Sequence, residues 1–148
     1  MSLSSRNHPY IWYTVWLPMK VIITEKPSVA RDIARVLKIT TSKTGYYEGN
    51  GYQITWAFGH LIEMLHPDQY DDKYGKWQLS HLPIIPDEFQ RGIIKNNGVQ
   101  DQYNVIEALL QSAQTEEVIC ATDAGREGEL IFRLVYERAQ CKAPIKRL

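Results

Sequence analysis

The chain has 148 residues, of which 44% are hydrophobic and 23% are charged, a composition typical of one globular domain. Its 17 basic residues equal its 17 acidic residues, whereas a self-sufficient nucleic-acid-binding domain usually carries a clear basic excess. No apolar run approaches the ~20 residues of a membrane-spanning helix, and two cysteines are too few for a disulfide framework. These features argue against a membrane protein and against a disulfide-stabilised scaffold, and they favour a reducing compartment.

The first eighteen residues, MSLSSRNHPYIWYTVWLP, differ in character from the rest of the chain. Their short aromatic stretch lies between Pro9 and Pro18 and lacks the charged start and the small-residue cleavage site of a signal peptide. We expect residues 1–18 to be an added leader or a misassigned upstream start, with the natural domain at 19–148. An extra edge strand packed on the domain is the alternative.

The stretch KVIITEKPSVARDIARVLKI predicts a strand, a sharp turn and a helix. Val21–Ile23 form a continuous apolar run, as expected of a strand buried on both faces. Pro27 suits the first helical position, where a missing N–H costs nothing. The predicted inward positions of this helix recur at helical spacing and are Val29, Ile33, Val36 and Leu37.

The next segment, GYYEGNGYQITWAFGHLIEM, predicts a β-hairpin. EGNG supplies the turn, and Tyr52, Ile54 and Trp56 alternate with polar residues. From His66 to Asn97 the chain shows little periodicity and predicts a long irregular excursion, with a short strand around Ile84 and Ile85. An excursion of that length is either functional or poorly ordered.

Regular patterns return in the last third of the chain. DQYNVIEALLQSAQ predicts a helix, EEVICATD a second buried strand ending at Asp123, GELIFRLVYERA another helix, and APIKRL the start of a further strand. This order predicts an α/β domain whose largely parallel sheet carries helices on both faces. The predicted inward positions of the two helices are Val105, Ile106, Leu109, Leu110 and Ala113, and then Leu130, Ile131, Leu134 and Val135.

Charged residues follow both predicted buried strands: Glu25 and Lys26 after the first, and Asp123, Arg126 and Glu127 after the second. Ligands of open parallel sheets bind beyond the carboxyl ends of the strands. If the two strands are neighbours, three carboxylates converge there and repel one another unless a cation lies among them. Such hard oxygen ligands suit Mg²⁺, and the Lys and Arg beside them favour a substrate that carries phosphate.

Gly125 and Gly128 allow a tight turn and the close approach of a ligand, and the next predicted helix points its positive N-terminus at the same place. Each charged residue also has an ordinary structural alternative. Asp123 would then cap a helix, Glu127 would offset a helix dipole, and Glu25 with Lys26 would form an exposed turn.

Four segments in this order, TEKPSVARDIARVL, ITWAFGHLIEM, YGKWQLSHLPIIP and ATDAGREGELIF, resemble the Toprim domain of type IA DNA topoisomerases, with the topoisomerase III branch nearest. The resemblance covers residues 19–148. It implies a compact parallel sheet with helices on both faces. It also implies an ATP-independent enzyme that cleaves one DNA strand, passes another through the break and reseals it, in the cytoplasm at the nucleoid.

The resemblance also implies roles for the charged residues. Glu25 would exchange a proton with the departing sugar oxygen, Lys26 would stabilise the phosphate, and Arg126 would be a phosphate-facing or structural partner. Glu25, Asp123 and Glu127 would form the Mg²⁺ site. The wider family pattern is Asp-x-Asp-x-Glu, but Gly125 occupies its middle position here, so we expect a single weak Mg²⁺ site that tightens when DNA phosphate is present.

In this family the nucleophile is a tyrosine in a separate, later domain, and none of the nine tyrosines here lies in a match to that motif. We therefore expect an N-terminal fragment that holds the acid and metal half of an active site and is inactive alone. Its expected partners are single-stranded DNA, the remaining domains of the same polypeptide, and a helicase or single-strand-binding protein.

Three further residues are candidates for DNA contact. Trp77 lies beside Lys76 in the long excursion, where an exposed indole could stack on an unpaired base, although anchoring an irregular loop is the alternative. His60 could touch phosphate, and a hydrogen-bonded structural role is its alternative.

Two other functions stay open on the sequence. A free-standing Toprim nuclease or primase-like phosphotransfer enzyme would use the same carboxylates without a tyrosine. A non-enzymatic α/β binding domain would use its acidic edge only to cap helices.

Overall fold

A computed structural model describes residues 17–148, so the prediction of a leader at 1–18 falls almost entirely outside the described residues. Within this range the chain forms strands and α-helices joined by turns, with three short 3₁₀ turns between the fifth and sixth strands. In chain order the elements are β1 (Met19–Thr24), α1 (Pro27–Val36), β2 (Thr41–Lys43), β3 (Tyr46–Gly49), β4 (Tyr52–Trp56), β5 (Ile62–Met64), β6 (Arg91–Ile93), α2 (Asn97–Gln111), β7 (Thr115–Ala121), α3 (Arg126–Arg138) and β8 (Ile145–Arg147).

The main sheet has six strands in the order β2-β3-β4-β1-β7-β8. Strand β1 pairs in parallel with both β4 and β7, and β7 pairs in parallel with β8. Only the β2–β3–β4 edge is antiparallel in this sheet as described, while β5 and β6 form a separate two-stranded ribbon. The predicted α/β fold with a largely parallel sheet is confirmed.

Helices cover both faces of the sheet, as predicted. Ile22 packs in one apolar cluster with Ala30 and Ala34 of α1, whereas its neighbours Val21 and Ile23 pack in a second cluster with α2 and α3. Burial on both faces explains why β1 is a continuous apolar run rather than an alternating one. None of the helices in residues 17–148 is both long and apolar enough to cross a membrane.

The predicted hairpin is formed by β3 and β4. Its two-residue loop, Asn50 and Gly51, has positive φ angles of 51° and 81°, as a tight turn matched to the twist of a hairpin requires. Because β4 also pairs with β1, the hairpin extends the main sheet and brings the end of β4 beside the end of β1.

The predicted strand around Ile84 and Ile85 is wrong. Neither residue is in a strand, and Ile85 is exposed. Pro83 and Pro86 flank the pair and lack the N–H groups that a strand ladder needs. The strand of this region is β6, which pairs with β5.

Several predicted inward positions are also wrong. Val36 is 79% exposed and Leu130 is 47% exposed, and Ala113 lies beyond the end of α2, where it is exposed. Val36 is the last residue of α1. The buried residues of this helix are the small alanines Ala30 and Ala34, rather than the larger residues that we predicted. The other predicted positions of the three helices are buried or partly buried.

Candidate functional site

The carboxyl ends of β1 and β7 lie side by side. The two strands are parallel neighbours, and Thr24 at the end of β1 pairs with Ala121 at the end of β7. Glu25 therefore follows one strand and Asp123 follows the other at the same edge of the sheet. The condition on which the sequence prediction depended, that the two charged strands are neighbours, is met.

Two contacts cross this edge and involve four of the predicted site residues. The Nζ atom of Lys26 lies 3.6 Å from Oδ2 of Asp123, and both side chains are more than half exposed. The Nε2 atom of His60 lies 3.5 Å from Oε1 of Glu127. The structure thus joins the turn after β1 to the turn after β7, and the turn after β4 to the start of α3.

The three predicted carboxylates do not form a closed metal cage. Within residues 17–148, no three His, Cys, Asp or Glu side chains lie close enough together to hold a metal ion. Lys26 supplies the positive charge beside Asp123, which relieves part of the repulsion between the carboxylates. An ion would have to exchange with Lys26 and draw the three carboxylates together.

Asp123 is not the cap of α3. The N-cap residue is Gly125, and no side chain makes a capping hydrogen bond there. The structural alternative for Asp123 is therefore wrong. Arg126 is exposed at the first position of the helix, and Glu127 lies in its first turn, where a carboxylate offsets the helix dipole whether or not it also binds a ligand.

The two glycines of this turn differ in whether a side chain would fit at their position. A Cβ atom on Gly128 would overlap the backbone carbonyl oxygen of Asp123 and would lie 2.9 Å from its backbone nitrogen. A Cβ atom on Gly125 would meet nothing within 4 Å. Gly128 is thus required for α3 to approach Asp123, whereas Gly125 leaves open space at the edge of the site.

Arg147 of β8 binds the turn that follows β7 and carries Asp123, which we call the acidic turn. Its guanidinium donates to the backbone oxygens of Thr122 at 2.9 Å and Asp123 at 2.8 Å, and to Oε2 of Glu129 at 3.0 Å. The Thr122 hydroxyl in turn donates to the Gly128 carbonyl at 2.8 Å. Arg147 was not predicted from the sequence, because its role depends on β8 lying beside β7.

A buried polar network supports the turn after β1. The hydroxyl of Thr24 shares its one proton between the backbone oxygens of Lys26 at 3.0 Å and Thr55 at 3.2 Å. The side-chain amide of Gln102 donates to the Thr55 hydroxyl at 3.0 Å and to the Trp56 carbonyl at 2.8 Å. Gln102 was also missed, although it lies four residues before Ile106 and so on the predicted inward face of α2.

Of the three residues predicted to contact DNA, only His60 lies at this edge. Trp77 is 83% exposed, which leaves its indole accessible, and Lys76 beside it is exposed. Both line a small cavity with Tyr74 and His81 in the excursion. Within residues 17–148, neither makes a hydrogen bond or an ion pair to the acidic turns.

The family match and the similar proteins found by comparison agree with each other. The sequence matches the Toprim domain family over residues 20–148. It is 48% identical over 128 residues to DNA topoisomerase 3 of Bacillus thuringiensis (strain Al Hakam), a match covering 86% of this chain and 17% of the relative. It is 46% identical over 129 residues to that of Shouchella clausii, covering 87% of this chain and 17% of the relative. It is 45% identical over 128 residues to that of Staphylococcus saprophyticus, covering 86% and 18%. The chain therefore spans less than a fifth of the length of these relatives.

Proposed function

This chain belongs to the Toprim domain family, and we propose that it is the metal-binding, acid–base half of a type IA DNA topoisomerase of the topoisomerase 3 kind. The observation that carries the proposal is the shared edge of β1 and β7, where Glu25 and Lys26 meet the turn of Asp123 and Glu127. The names of the relatives, each a DNA topoisomerase 3, supply the substrate class and the reaction.

The site fits a magnesium ion by its donor chemistry. Glu25, Asp123 and Glu127 offer the hard oxygen atoms that Mg²⁺ prefers, and the side chains of Asp123 and Glu127 are 63% and 77% exposed, so they are free to turn toward an ion. When bound, the ion would neutralise charge on the phosphate of the substrate. Gly125 withholds a further carboxylate, which supports a single weak site rather than two.

The roles of the basic residues follow from their place beside the carboxylates. An exposed ion pair such as Lys26–Asp123 contributes only about 0–1 kcal/mol, so Lys26 can leave Asp123 and pair with a DNA phosphate at little cost. Arg126 stands exposed at the positive end of α3, where an anion is also favoured. Lys26 and Arg126 thus serve to bind and orient the phosphodiester.

Glu25 is the proposed proton donor and acceptor. When a tyrosine of the remaining polypeptide loses its phenolic proton to solvent and attacks phosphorus, the bond to the sugar oxygen breaks and Glu25 gives its proton to that oxygen. On religation Glu25 takes that proton back, and the tyrosine regains one from solvent. The hydrogen bond from the Thr24 hydroxyl to the Lys26 carbonyl links the residues on either side of Glu25, which is the kind of support that such a group requires.

The proposal also names a setting. The substrate is single-stranded DNA, the required partners are the remaining domains of the same polypeptide, and the site of action is the cytoplasm at the nucleoid. A helicase or a single-strand-binding protein would supply the unpaired DNA. Trp77 and Lys76 remain proposed DNA contacts, supported by the exposure of the indole.

The metal site is tested by calorimetric titration of the chain with Mg²⁺. Glu25→Gln, Asp123→Asn and Glu127→Gln should each weaken Mg²⁺ binding by about tenfold or more, the scale on which metal sites respond to altered ligands or their supports. Asp32→Asn is the matched control, because Asp32 is an exposed carboxylate on α1 whose ion pair, among residues 17–148, is with its neighbour Arg35.

Unchanged Mg²⁺ affinity in all three site variants would contradict the proposal. If those variants changed only thermal stability, the acidic edge would be structural and the chain would be a binding domain.

A further inference from the structure

Phe58 lies between two points that are fixed to the acidic site. On one side the backbone N–H of Ala57 donates to the carbonyl of Thr24 at 3.0 Å, directly before Glu25. On the other side His60 contacts Glu127 at 3.5 Å. The turn that carries Phe58 therefore spans the edge from the end of β1 to the start of α3.

The backbone of Phe58 adopts a conformation that bulky residues avoid. Its φ angle is +52°, and Gly59 follows with +89°. Left-handed φ angles suit glycine and asparagine, whereas a large side chain there is strained. The strain is not offset by burial of the ring, because Phe58 is 54% exposed. Strained residues of this kind cluster at ligand-binding and catalytic sites.

The ring of Phe58 ends a short row of aromatic side chains. Tyr47 and Trp56 lie 5.9 Å apart between ring centroids, and Trp56 and Phe58 lie 6.3 Å apart, nearly perpendicular at 74°. Trp56 is partly buried against the α1 face of the sheet. The Phe58 ring therefore packs against Trp56 on one side, while about half of the residue is exposed and free to contact a ligand.

We infer that Phe58 is a stacking site for an unpaired base of single-stranded DNA, next to the phosphate that the acidic edge receives. The inference rests on the proposed function, since it takes the phosphate position from Lys26 and the carboxylates. A phosphodiester at that edge places the adjoining base within reach of the neighbouring turn. Stacking on an aromatic ring tolerates every base, so this contact adds affinity without sequence preference.

The test uses a fluorescein-labelled oligothymidylate and the chain at low salt, because phosphate contacts weaken steeply as salt rises. Phe58→Leu keeps an apolar side chain but removes the aromatic face, whereas Phe58→Tyr keeps the face. Leucine should lower affinity about tenfold, in the range that loss of one base stack produces, and tyrosine should bind like the wild type. Melting temperatures of both variants close to the wild type exclude a folding defect.

A second set of oligonucleotides, each with one abasic residue, identifies the base. The wild type should lose about tenfold in affinity at one abasic position, and Phe58→Leu should be insensitive to that same position. Equal sensitivity of both proteins, or wild-type affinity in Phe58→Leu, would overturn the stacking site. Trp77→Leu is titrated with the same oligonucleotides for comparison with Phe58→Leu, because Trp77 carries another exposed aromatic ring.

Together, the Mg²⁺ titration and the DNA-binding test distinguish failure of the stacking site from failure of the proposed function. A chain that binds Mg²⁺ through its carboxylates but binds no oligothymidylate overturns the stacking site alone. A chain whose DNA affinity depends on Phe58 but that binds no Mg²⁺ overturns the proposed function and supports the stacking site.

Discussion

At the scale of single residues, the closest backbone approach in the site depends on Gly128. An alanine there would force its Cβ into the backbone of Asp123, 2.9 Å from its nitrogen, so α3 and the acidic turn would have to separate. We expect Gly128→Ala to destabilise the fold by about 1–3 kcal/mol, the usual cost of overpacking, and to weaken Mg²⁺ binding. Chemical denaturation and calorimetry measure the two effects.

Gly125→Ala is the matched control for that substitution, because open space surrounds its Cβ position and its φ of −152° suits any residue. Its stability should stay within about 0.5 kcal/mol of the wild type, as at ordinary surface positions. If both glycines respond alike, the close approach at Gly128 does not hold the turn.

Arg147 provides the second residue-scale prediction. Its planar guanidinium reaches two backbone oxygens and a carboxylate at once, which a lysine ammonium cannot reproduce in the same geometry. Arg147→Lys should therefore lower stability by about 1–3 kcal/mol, the range for lost hydrogen bonds to charged groups, and should weaken Mg²⁺ binding by displacing Asp123.

Arg133→Lys is the control for this variant. Arg133 also pairs with Glu129, at 2.7 Å, but lies along the exposed face of α3 and does not bond the turn. A loss of Mg²⁺ affinity equal to that of Arg147→Lys would show that Glu129, and not the turn, transmits the effect.

The residues of the site divide by what the sequence could show. Glu25 and Asp123 were predictable because each follows an apolar strand, and the edge where parallel strands end is where ligands bind. The contact of His60 with Glu127 was not predictable, because it depends on the path of the turn after β4. Phe58 gave no signal, since a positive φ at a non-glycine residue is not visible in sequence.

At the scale of elements, Glu117 ties three strands of the sheet together. Its carboxylate lies 2.7 Å from Nζ of Lys146 on β8 and 3.6 Å from Nζ of Lys20 on β1. The hydrogen bond from Lys146, with the charges of Lys146 and Lys20, holds the pKa of Glu117 below its ordinary value despite partial burial. The ionised carboxylate is therefore favoured by the folded state.

The sign of the pH effect follows from that lowered pKa. Stability from this group is present above the unfolded pKa of about 4.3 and is lost as the pH falls through the lower folded value. The melting temperature of Glu117→Gln should thus lie below the wild type near pH 7, and the difference should shrink below about pH 4. Glu116→Gln, at an exposed neighbouring position, should show a much smaller difference. A difference in melting temperature between Glu117→Gln and the wild type that stays constant with pH would contradict a lowered pKa for Glu117.

Elements were predictable where a pattern had one physical cause. The run of Val21–Ile23 identified β1 because a strand covered on both faces is apolar throughout. The same reasoning failed in the excursion. Ile84 and Ile85 are apolar like a strand, but the strand that pairs with β5 is Arg91–Ile93. Helix faces were misread at Val36 because small alanines, which carry little signal, form the core of α1.

At the scale of the whole molecule, the order of elements was enough to predict the sheet and its helices, and the strand order then brought the charged ends together. The sequence could not predict that the carboxylates stay apart, with Lys26 as the cation beside Asp123. That open arrangement is compatible with the half-site proposed above.

The most direct measurement places residues 19–148 in the DNA topoisomerase 3 of Bacillus thuringiensis (strain Al Hakam), in place of the matching segment that is 48% identical. The chimera and the isolated chain are each incubated with Mg²⁺ and end-labelled single-stranded DNA. We expect a covalent protein–DNA adduct from the chimera, its loss or failure to religate with Glu25→Ala, and no cleavage by the isolated chain. Free DNA ends produced by the isolated chain would show a nuclease, and normal turnover of the Glu25→Ala chimera would remove Glu25 from the mechanism.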